Sequence, residues 1–364
     1  MGAIEPVDIG GVMVGDGHPV VFMAETSTFF NKDVDLAMSY IKAAVDAGVQ
    51  IFKSEVLHDP EVCLRDTGLT FKYNHAAGSH TEDWRQIIER KVIPLDGYRR
   101  IYDYCRELGV PFVASVYDIE GIDFLVEAGA AAVKIPRDSI NNVPLIRYAS
   151  RTGLPLIFDA GIAYFHEVAR AVKLAQDEGA GGVVVNHHPG ANPAPPEAHH
   201  MRLMQTYKEA LRVPVGLSCH YRGDDMMCLA IGMGANLLEK GVVDDPDRVE
   251  LDLVSATRLS DLPETLERIS ACWKAIGEAP ARHKEPRDLS TRKGLAAKRQ
   301  IAQGEVFGYD NLRFVFPALG ISVEHWDRVA GSRAARDIGA NEVVRWDDVR
   351  HEAETPEPAT ARSA

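Results

Sequence analysis

The stretch "VDLAMSYIKAAVDAGVQIFKSE" (34–55) sets one helix directly before one strand. Val34, Met38, Ile41 and Val45 share a helical face, and Gly48 stands where a helix C-terminus favours positive φ. "VQIFKSE" (49–55) then reads as a short β-branched strand ending in charge. The same kind of run appears as "VVFMAE" (20–25), "VPFVASVY" (110–117), "AAVKIP" (131–136) and "LPLIFDAG" (154–161). It continues as "GGVVVNHH" (181–188), "VPVGLSCH" (213–220) and "ANLLEKGVV" (235–243). Helical patterns lie between the runs, as in Tyr98, Ile101, Cys105 and Leu108 before Gly109. Alternating strand and helix predicts a parallel sheet. Eight units predict a (β/α)8 TIM barrel, with an open doubly wound sheet as the alternative.

Glu25, Lys53, Ser115, Lys134, Asp159, His187, His220 and Glu239 all fall at or near the C-terminal ends of these runs. Barrel active sites are built at that rim. Singly, each has a bland reading. Ser115 and Asp159 read equally as caps of the next helix, and His187-His188 and His199-His200 read as loop surface. Two lysines inside apolar runs at one mouth are different. Each is costly to bury unpaired, and together they repel. "VKIPRDSINNVPLI" (133–146) poses the question for Lys134: it snorkels, pairs with a carboxylate or holds an anion. A bound phosphate or carboxylate satisfies Lys53 and Lys134 together.

The chain has 364 residues and a formal net charge of −13, which argues against general nucleic-acid or anionic-membrane binding. No run has transmembrane length, and "MGAIEPVDIGG" (1–11) lacks a signal-peptide layout. The 5 scattered cysteines read as free thiols of a cytoplasmic protein. The expected organisation is a barrel over 1–280, a linker at 281–290, a small and mostly β domain at 291–350 and a disordered tail at 351–364. "RQIAQGEVF" and "RDIGANEVV" suggest internal repetition in the small domain. "LPETLERISACWKAIG" (262–277) reads as the last barrel helix with Asp261 as its cap. The long connection from Leu57 to Pro94 reads either as a lid or as a decorative insertion.

The order of motifs resembles the N-acetylneuraminate (sialic acid) synthase family, which joins a phosphoenolpyruvate-binding barrel to a C-terminal antifreeze-like (SAF) domain. "VPVGLSCHYRGDDMMCLAIGMGANLLEKGVV" (213–243) resembles that family's V-G-x-S-D-H, small-residue helix and E-K/R-H; "VKIPRDSINNVPLI" resembles K-I-x-S-x-E-x-x-N-x-P-L-I. "HPVVFMAET" (18–26), "AAVDAGVQIFKSE" (43–55), "VNHHPGANPAP" (185–195) and "IAQGEVFGYDNLRFVFPALGI" (301–321) follow in the family's order. The resemblance implies condensation of phosphoenolpyruvate with a sugar aldehyde. Water adds at C2, phosphate leaves by C–O cleavage, the product is a 2-keto-3-deoxy sugar acid, and a divalent metal such as Mn or Mg polarises the aldehyde. It implies Lys53, Ser115, Lys134, Arg137 and Ser218 at phosphoenolpyruvate. Glu25, Asn192, Asp252 and Phe316 fall at the acceptor, and His220 on the metal. Glu25, Lys53, Lys134 and Asp252 are the implied catalytic set. It also implies a homodimer in which each SAF domain covers the partner's barrel.

Departures gather at the implied site. Gly241 replaces the second metal histidine, which weakens the metal expectation and leaves Cys219, Glu239 or His187 as stand-ins, or a metal-free enzyme. Cys219 stands for aspartate, Arg137 and Asp159 for serines, Phe29-Phe30-Asn31-Lys32 for the N-H-x-G turn, Asn192 for tyrosine and Phe316 for arginine. Asp159 would repel phosphate unless paired with Arg137 or Lys134. Asn192 and Phe316 point to an acceptor other than N-acetylmannosamine, although Phe316 reads equally as SAF core. Two other classes stay open: the same barrel used for another donor or a lyase-type step, and a non-catalytic sugar-acid-binding homologue.

Overall fold

The computed structural model describes residues 4–277 and 291–350 and divides into two units at Gly277/Glu278. The expected linker and tail lie outside the described residues. In the first unit eight parallel strands close on themselves. They are β1 Val21–Ser27, β2 Ile51–Val56, β3 Phe112–Val116, β4 Ala132–Ile135, β5 Leu156–Asp159, β6 Val183–His187, β7 Val215–Cys219 and β8 Leu237–Val243. Each pairs with the next, and β8 pairs back to β1, so the TIM barrel is closed and the open sheet is excluded.

Barrel helices follow the strands: α1 Val34–Asp46, α2 Leu95–Glu107, α3 Ile119–Ala128, α4 Val143–Ser150, α5 Phe165–Asp177, α6 Arg202–Leu211, α7 Asp225–Gly232 and α8 Leu262–Ile276. Asp118 caps α3, its Oδ1 accepting from the Gly121 N–H at 2.7 Å. Ser115 is therefore not the cap; it sits inside β3, 1% exposed. Asp159 accepts from the Gly161 N–H at 3.0 Å and opens no helix. Asp261 occupies the start of α8 but makes no side-chain cap; it accepts from the Ser260 hydroxyl at 2.8 Å instead.

The floor of the barrel is apolar. Met23, Ile51, Val113, Ala132, Ile157, Val184 and Leu237 form one buried cluster with Val7, Ile9 and Val14. Those last three come from an N-terminal hairpin, Val7–Ile9 with Val12–Val14, that the sequence reading missed. Side chains alternate along a strand with a period of two. The residue two places on from each floor residue therefore faces inward one layer higher. Those residues are Glu25, Lys53, Ser115, Lys134, Asp159, Asn186 and Glu239.

In the second unit Gly294–Ala297 pairs antiparallel with Leu312–Val315, and Arg333–Ala334 with Val349–Arg350. The two repeat phrases meet: Ile301 and Ile338 exchange both backbone hydrogen bonds at 2.9 Å. The Gly304 N–H reaches the Ala334 carbonyl at 2.8 Å, and the Asn341 N–H reaches Ala297 at 2.9 Å, at equivalent places in each repeat. Leu295, Ile301, Phe307, Leu312, Ile338 and Val344 fill the core between them. Phe316 is not in that core. It is 58% exposed, with the Lys293 ammonium 5.0 Å from its ring centre.

Candidate active site

Strand register assembles the mouth. Gly241 lies beside Glu25 and Glu25 beside Lys53; Glu55 lies beside Ser115 and Ser115 beside Lys134. Asn186 pairs with Asp159, and Ser218 with Glu239. A cavity of about 580 Å³ opens above this layer. Glu25, Lys53, Ser115, Lys134, Arg137, Asn192, Ser218, His220 and Asp252 all line it, so seven of the eight strands and their loops bring the implied barrel residues to one place. Phe316 belongs to the second unit.

Both lysines are paired with carboxylates. Lys134 Nζ bonds Glu239 Oε1 and lies 3.2 Å from Asp159 Oδ2. Lys53 Nζ bonds Glu25 Oε1 and lies 3.4 Å from the same Glu239 oxygen and 3.8 Å from Glu55. Asn186 Nδ2 donates to the other Glu239 oxygen at 2.9 Å. Burial works against the Lys134 charge, but Glu239 and Asp159 outweigh it and hold its pKa above the usual lysine value. Burial also pushes Glu239 up; Lys134 and Lys53 overcome it and bring it down to about 2. Asp159 is likewise held well below the carboxylate range, burial being outweighed by His188, Lys134 and the Gly161 N–H. Glu25 goes the other way. Burial is its largest influence, Glu239 and Glu55 add to it, and the pKa rises to about 7 despite Lys53.

On the other side of the cavity Asn192 Nδ2 lies 3.0 Å from His220 Nδ1, 2.9 Å from Asp252 Oδ1 and 3.2 Å from the Asp252 carbonyl. The His188 and His220 rings lie 4.3 Å apart. Burial is the first cause lowering both, His220 to about 3 and His188 to about 4, so both imidazoles are neutral at pH 7. Arg137 is half-buried, with Nη1 3.5 Å from the Gly190 carbonyl. Asp159 therefore finds its partner in Lys134.

The long connection lines the site. It holds a hairpin, Thr70–His75 with Gly78–Asp83, and a helix, Trp84–Lys91. Trp84, Ile87, Ile88 and Lys91 recur at helical spacing and all line the cavity. Arg85 on another face holds the helix down through the Pro60 and Cys63 carbonyls at 2.6 and 2.5 Å. Asn74 Nδ2 reaches the Asn192 carbonyl at 3.3 Å. Lys91 was missed by the sequence reading, because a lysine in a long loop carries no signal. It is 4% exposed, and its one ion pair among the described residues, to Glu250, is 3.4 Å long. Burial lowers its pKa against the pull of Glu250. Glu55 was also missed, although it stands two places beyond Lys53 on the same strand.

His187, His188 and His199 are 3%, 7% and 0% exposed, which corrects their reading as loop surface; His200 alone is exposed. His187 bonds the His199 carbonyl behind β6.

The implied two-histidine metal site does not fit these residues. A Cβ on Gly241 would lie 3.1 Å from Phe29 Cε2 and 3.3 Å from Ala256. Phe29 is wedged among Tyr40, Val243 and Leu253 and occupies the room a second imidazole needs. The stand-ins are engaged elsewhere. Cys219 Sγ faces Lys240 Nζ at 3.7 Å, Glu239 is shared by both lysines, and His187 points behind the barrel. Among the described residues no group of three His, Cys, Asp or Glu side chains is placed to hold an ion.

Residues 40–281 match the NeuB family and 292–350 the SAF domain. The N,N'-diacetyllegionaminic acid synthase of Campylobacter jejuni is 26% identical over 89% of this chain and 98% of its own. The spore coat polysaccharide biosynthesis protein SpsE of Bacillus subtilis is 27% identical over 94% of this chain and 96% of its own. Among solved structures, an N-acetylneuraminic acid synthetase from Leptospira borgpetersenii in complex with citrate superposes with a TM-score of 0.69 at 20% identity. That match covers 78% of this chain and 93% of the other, and speaks for the fold. No helix among the described residues is long and apolar enough to cross a membrane. The matched family spans most of the barrel, the relatives run nearly end to end with this chain, and the chain belongs to the NeuB family.

Proposed function

We propose that the protein condenses phosphoenolpyruvate with the aldehyde of an open-chain sugar: the enol carbon forms the new carbon–carbon bond, water adds at C2, and phosphate leaves by C–O cleavage to give a 2-keto-3-deoxy sugar acid. One observation carries this reading: two buried ammonium groups, Lys53 and Lys134, converge on a single oxygen, Glu239 Oε1. Such a pair is an anion seat held ready by an internal carboxylate. Phosphoenolpyruvate brings its phosphate and carboxylate to these ammonium groups, with Ser115, Ser218 and Arg137 around it. Glu25 is the proton donor for the aldehyde oxygen, since its raised pKa leaves much of it protonated near neutrality. Asn192 and Asp252 hold the acceptor side. Asn192 is already committed to His220 and Asp252, which supports an acceptor other than N-acetylmannosamine.

A homodimer with exchanged SAF domains belongs to the same proposal. The exposed Phe316 is the side chain available for it, and crosslinking from position 316 that yields only intrachain products would count against it. The central test is calorimetric binding of phosphoenolpyruvate to the wild type and to Lys134→Ala, followed by mass spectrometry of products from labelled phosphoenolpyruvate. Binding lost in the variant and label found in a chain-extended sugar acid support the reading. Equal binding by both proteins would remove Lys134 from the donor site. Label recovered only as pyruvate would favour a lyase-type step.

A further inference from the structure

The resemblance makes His220 a metal ligand, and the hydrogen bonds around it assign another role. The Asn192 amide cannot be turned end for end. Its Nδ2 faces Asp252 Oδ1 at 2.9 Å and the Asp252 carbonyl at 3.2 Å, both of which only accept. The same NH2 group faces His220 Nδ1 at 3.0 Å. Nδ1 therefore accepts and carries no hydrogen, so the imidazole is neutral with its hydrogen on Nε2. A metal-bound histidine is wired in the opposite sense: it donates one N–H to an oxygen and keeps the other nitrogen bare for the ion. His220 lines the cavity, and its Nε2 has no partner among the described residues.

We propose that His220 serves the acceptor aldehyde as a neutral hydrogen-bond donor through Nε2–H, with Asn192 and Asp252 as positioning residues that fix this tautomer. The role rests on the condensation reading above. The carbonyl oxygen gains charge as the new carbon–carbon bond forms, and a fixed N–H aimed at it stabilises that charge without waiting for solvent to reorganise. His220 keeps its hydrogen throughout; the proton that completes the new hydroxyl comes from Glu25, which recovers one from the water that adds at C2. The packed Phe29–Gly241 contact, which removes the place of a second ligand, agrees with a site arranged for a hydrogen bond.

The test uses the full chain labelled with 15N-histidine. Two-bond proton–nitrogen correlations report each tautomer, and the His220 signals among the 13 histidines are those lost in His220→Gln. The expected pattern is Nε2 protonated and Nδ1 bare. Asn192→Asp presents a carboxylate to Nδ1 and is expected to move the hydrogen there. Mn²⁺ affinity, read by electron paramagnetic resonance, should then rise about tenfold, and adding His220→Gln to the Asn192→Asp variant should abolish the gain. Any 2-acetamido aldehyde consumed with phosphoenolpyruvate should still be consumed after EDTA treatment. Its turnover should fall about 100-fold in His220→Leu and be largely rescued in His220→Gln, whose amide N–H approximates Nε2–H. Nδ1 protonation in the wild type, or wild-type Mn²⁺ binding that His220→Gln removes, overturns the proposal. Failure to bind phosphoenolpyruvate by calorimetry would instead sink the condensation reading and leave the tautomer result standing.

Discussion

Lys134→Met is expected to destabilise the ligand-free protein strongly, because the lysine is the counter-ion of two buried carboxylates. Glu239 is 1% exposed and Asp159 5% exposed; both pair with this ammonium, and Glu239 would be left with Lys53 at 3.4 Å. Removing one partner of a buried pair costs about 3–5 kcal/mol, since the charge left behind cannot return to water. For a barrel of this size that corresponds to a melting point lower by roughly 6–10 °C. The double variant Lys134→Met/Glu239→Gln removes the stranded charge as well and should recover at least half of the loss. Asp159 then still keeps the Gly161 N–H. Lys91→Met is the control. Glu250 retains Arg90 at 3.0 Å, Asn31 at 2.8 Å and the Leu251 N–H at 2.7 Å, so losing Lys91 should cost no more than about 1 kcal/mol. Urea denaturation of the four proteins measures each of these differences. If Lys134→Met is as stable as the wild type or more so, the carboxylates do not neutralise this lysine in solution, and the account of the mouth as a preassembled ion cluster is wrong.

Glu25 links donor binding to pH. An arriving anion raises its pKa further above about 7, so binding takes up a proton and weakens as pH rises past neutrality. Calorimetry in two buffers of different ionisation enthalpy gives the proton count, and zero uptake at pH 7.5 contradicts this. For stability the signs oppose. Glu25, raised from 4.5, contributes stability that is full below pH 4.5 and lost as pH rises through about 7. Glu239, lowered to about 2, contributes stability that is full above pH 4.5 and lost as pH falls towards 2. In Glu239→Gln the acid limb of a stability–pH curve should therefore flatten. Gly241→His should cost about 1–3 kcal/mol by overpacking against Phe29, and adding Phe29→Ala should relieve part of that cost in the same denaturation assay. Arg85→Ala, by freeing the Pro60 and Cys63 carbonyls, should make the 57–94 segment a faster target for limited proteolysis while the barrel core stays protected.

How far the sequence could be read follows from what each signal depends on. Strand and helix periodicity is local, so all eight barrel strands were visible, and with them the polar residues, Lys53, Ser115, Lys134 and Glu239 among them, at or near their C-terminal ends. Ion pairing is not local. Lys134 and Glu239 are 105 residues apart, and only the closed barrel shows that both lysines meet one oxygen of this carboxylate. The Leu57–Pro94 connection was illegible for a related reason. Its hairpin is polar and exposed along much of its length, and its one inward face, Trp84, Ile87, Ile88 and Lys91, becomes meaningful only against the cavity it covers. Gly241 marks the limit of motif reading. As a missing histidine it reads as a damaged metal site; with Phe29 packed over it, and Asn192 setting the tautomer of His220, it reads as one part of a consistent rearrangement. A relic that had merely lost a ligand would leave a hole and an unconstrained imidazole. The filled space and the fixed hydrogen bond accord with the hydrogen-bonding role proposed for His220.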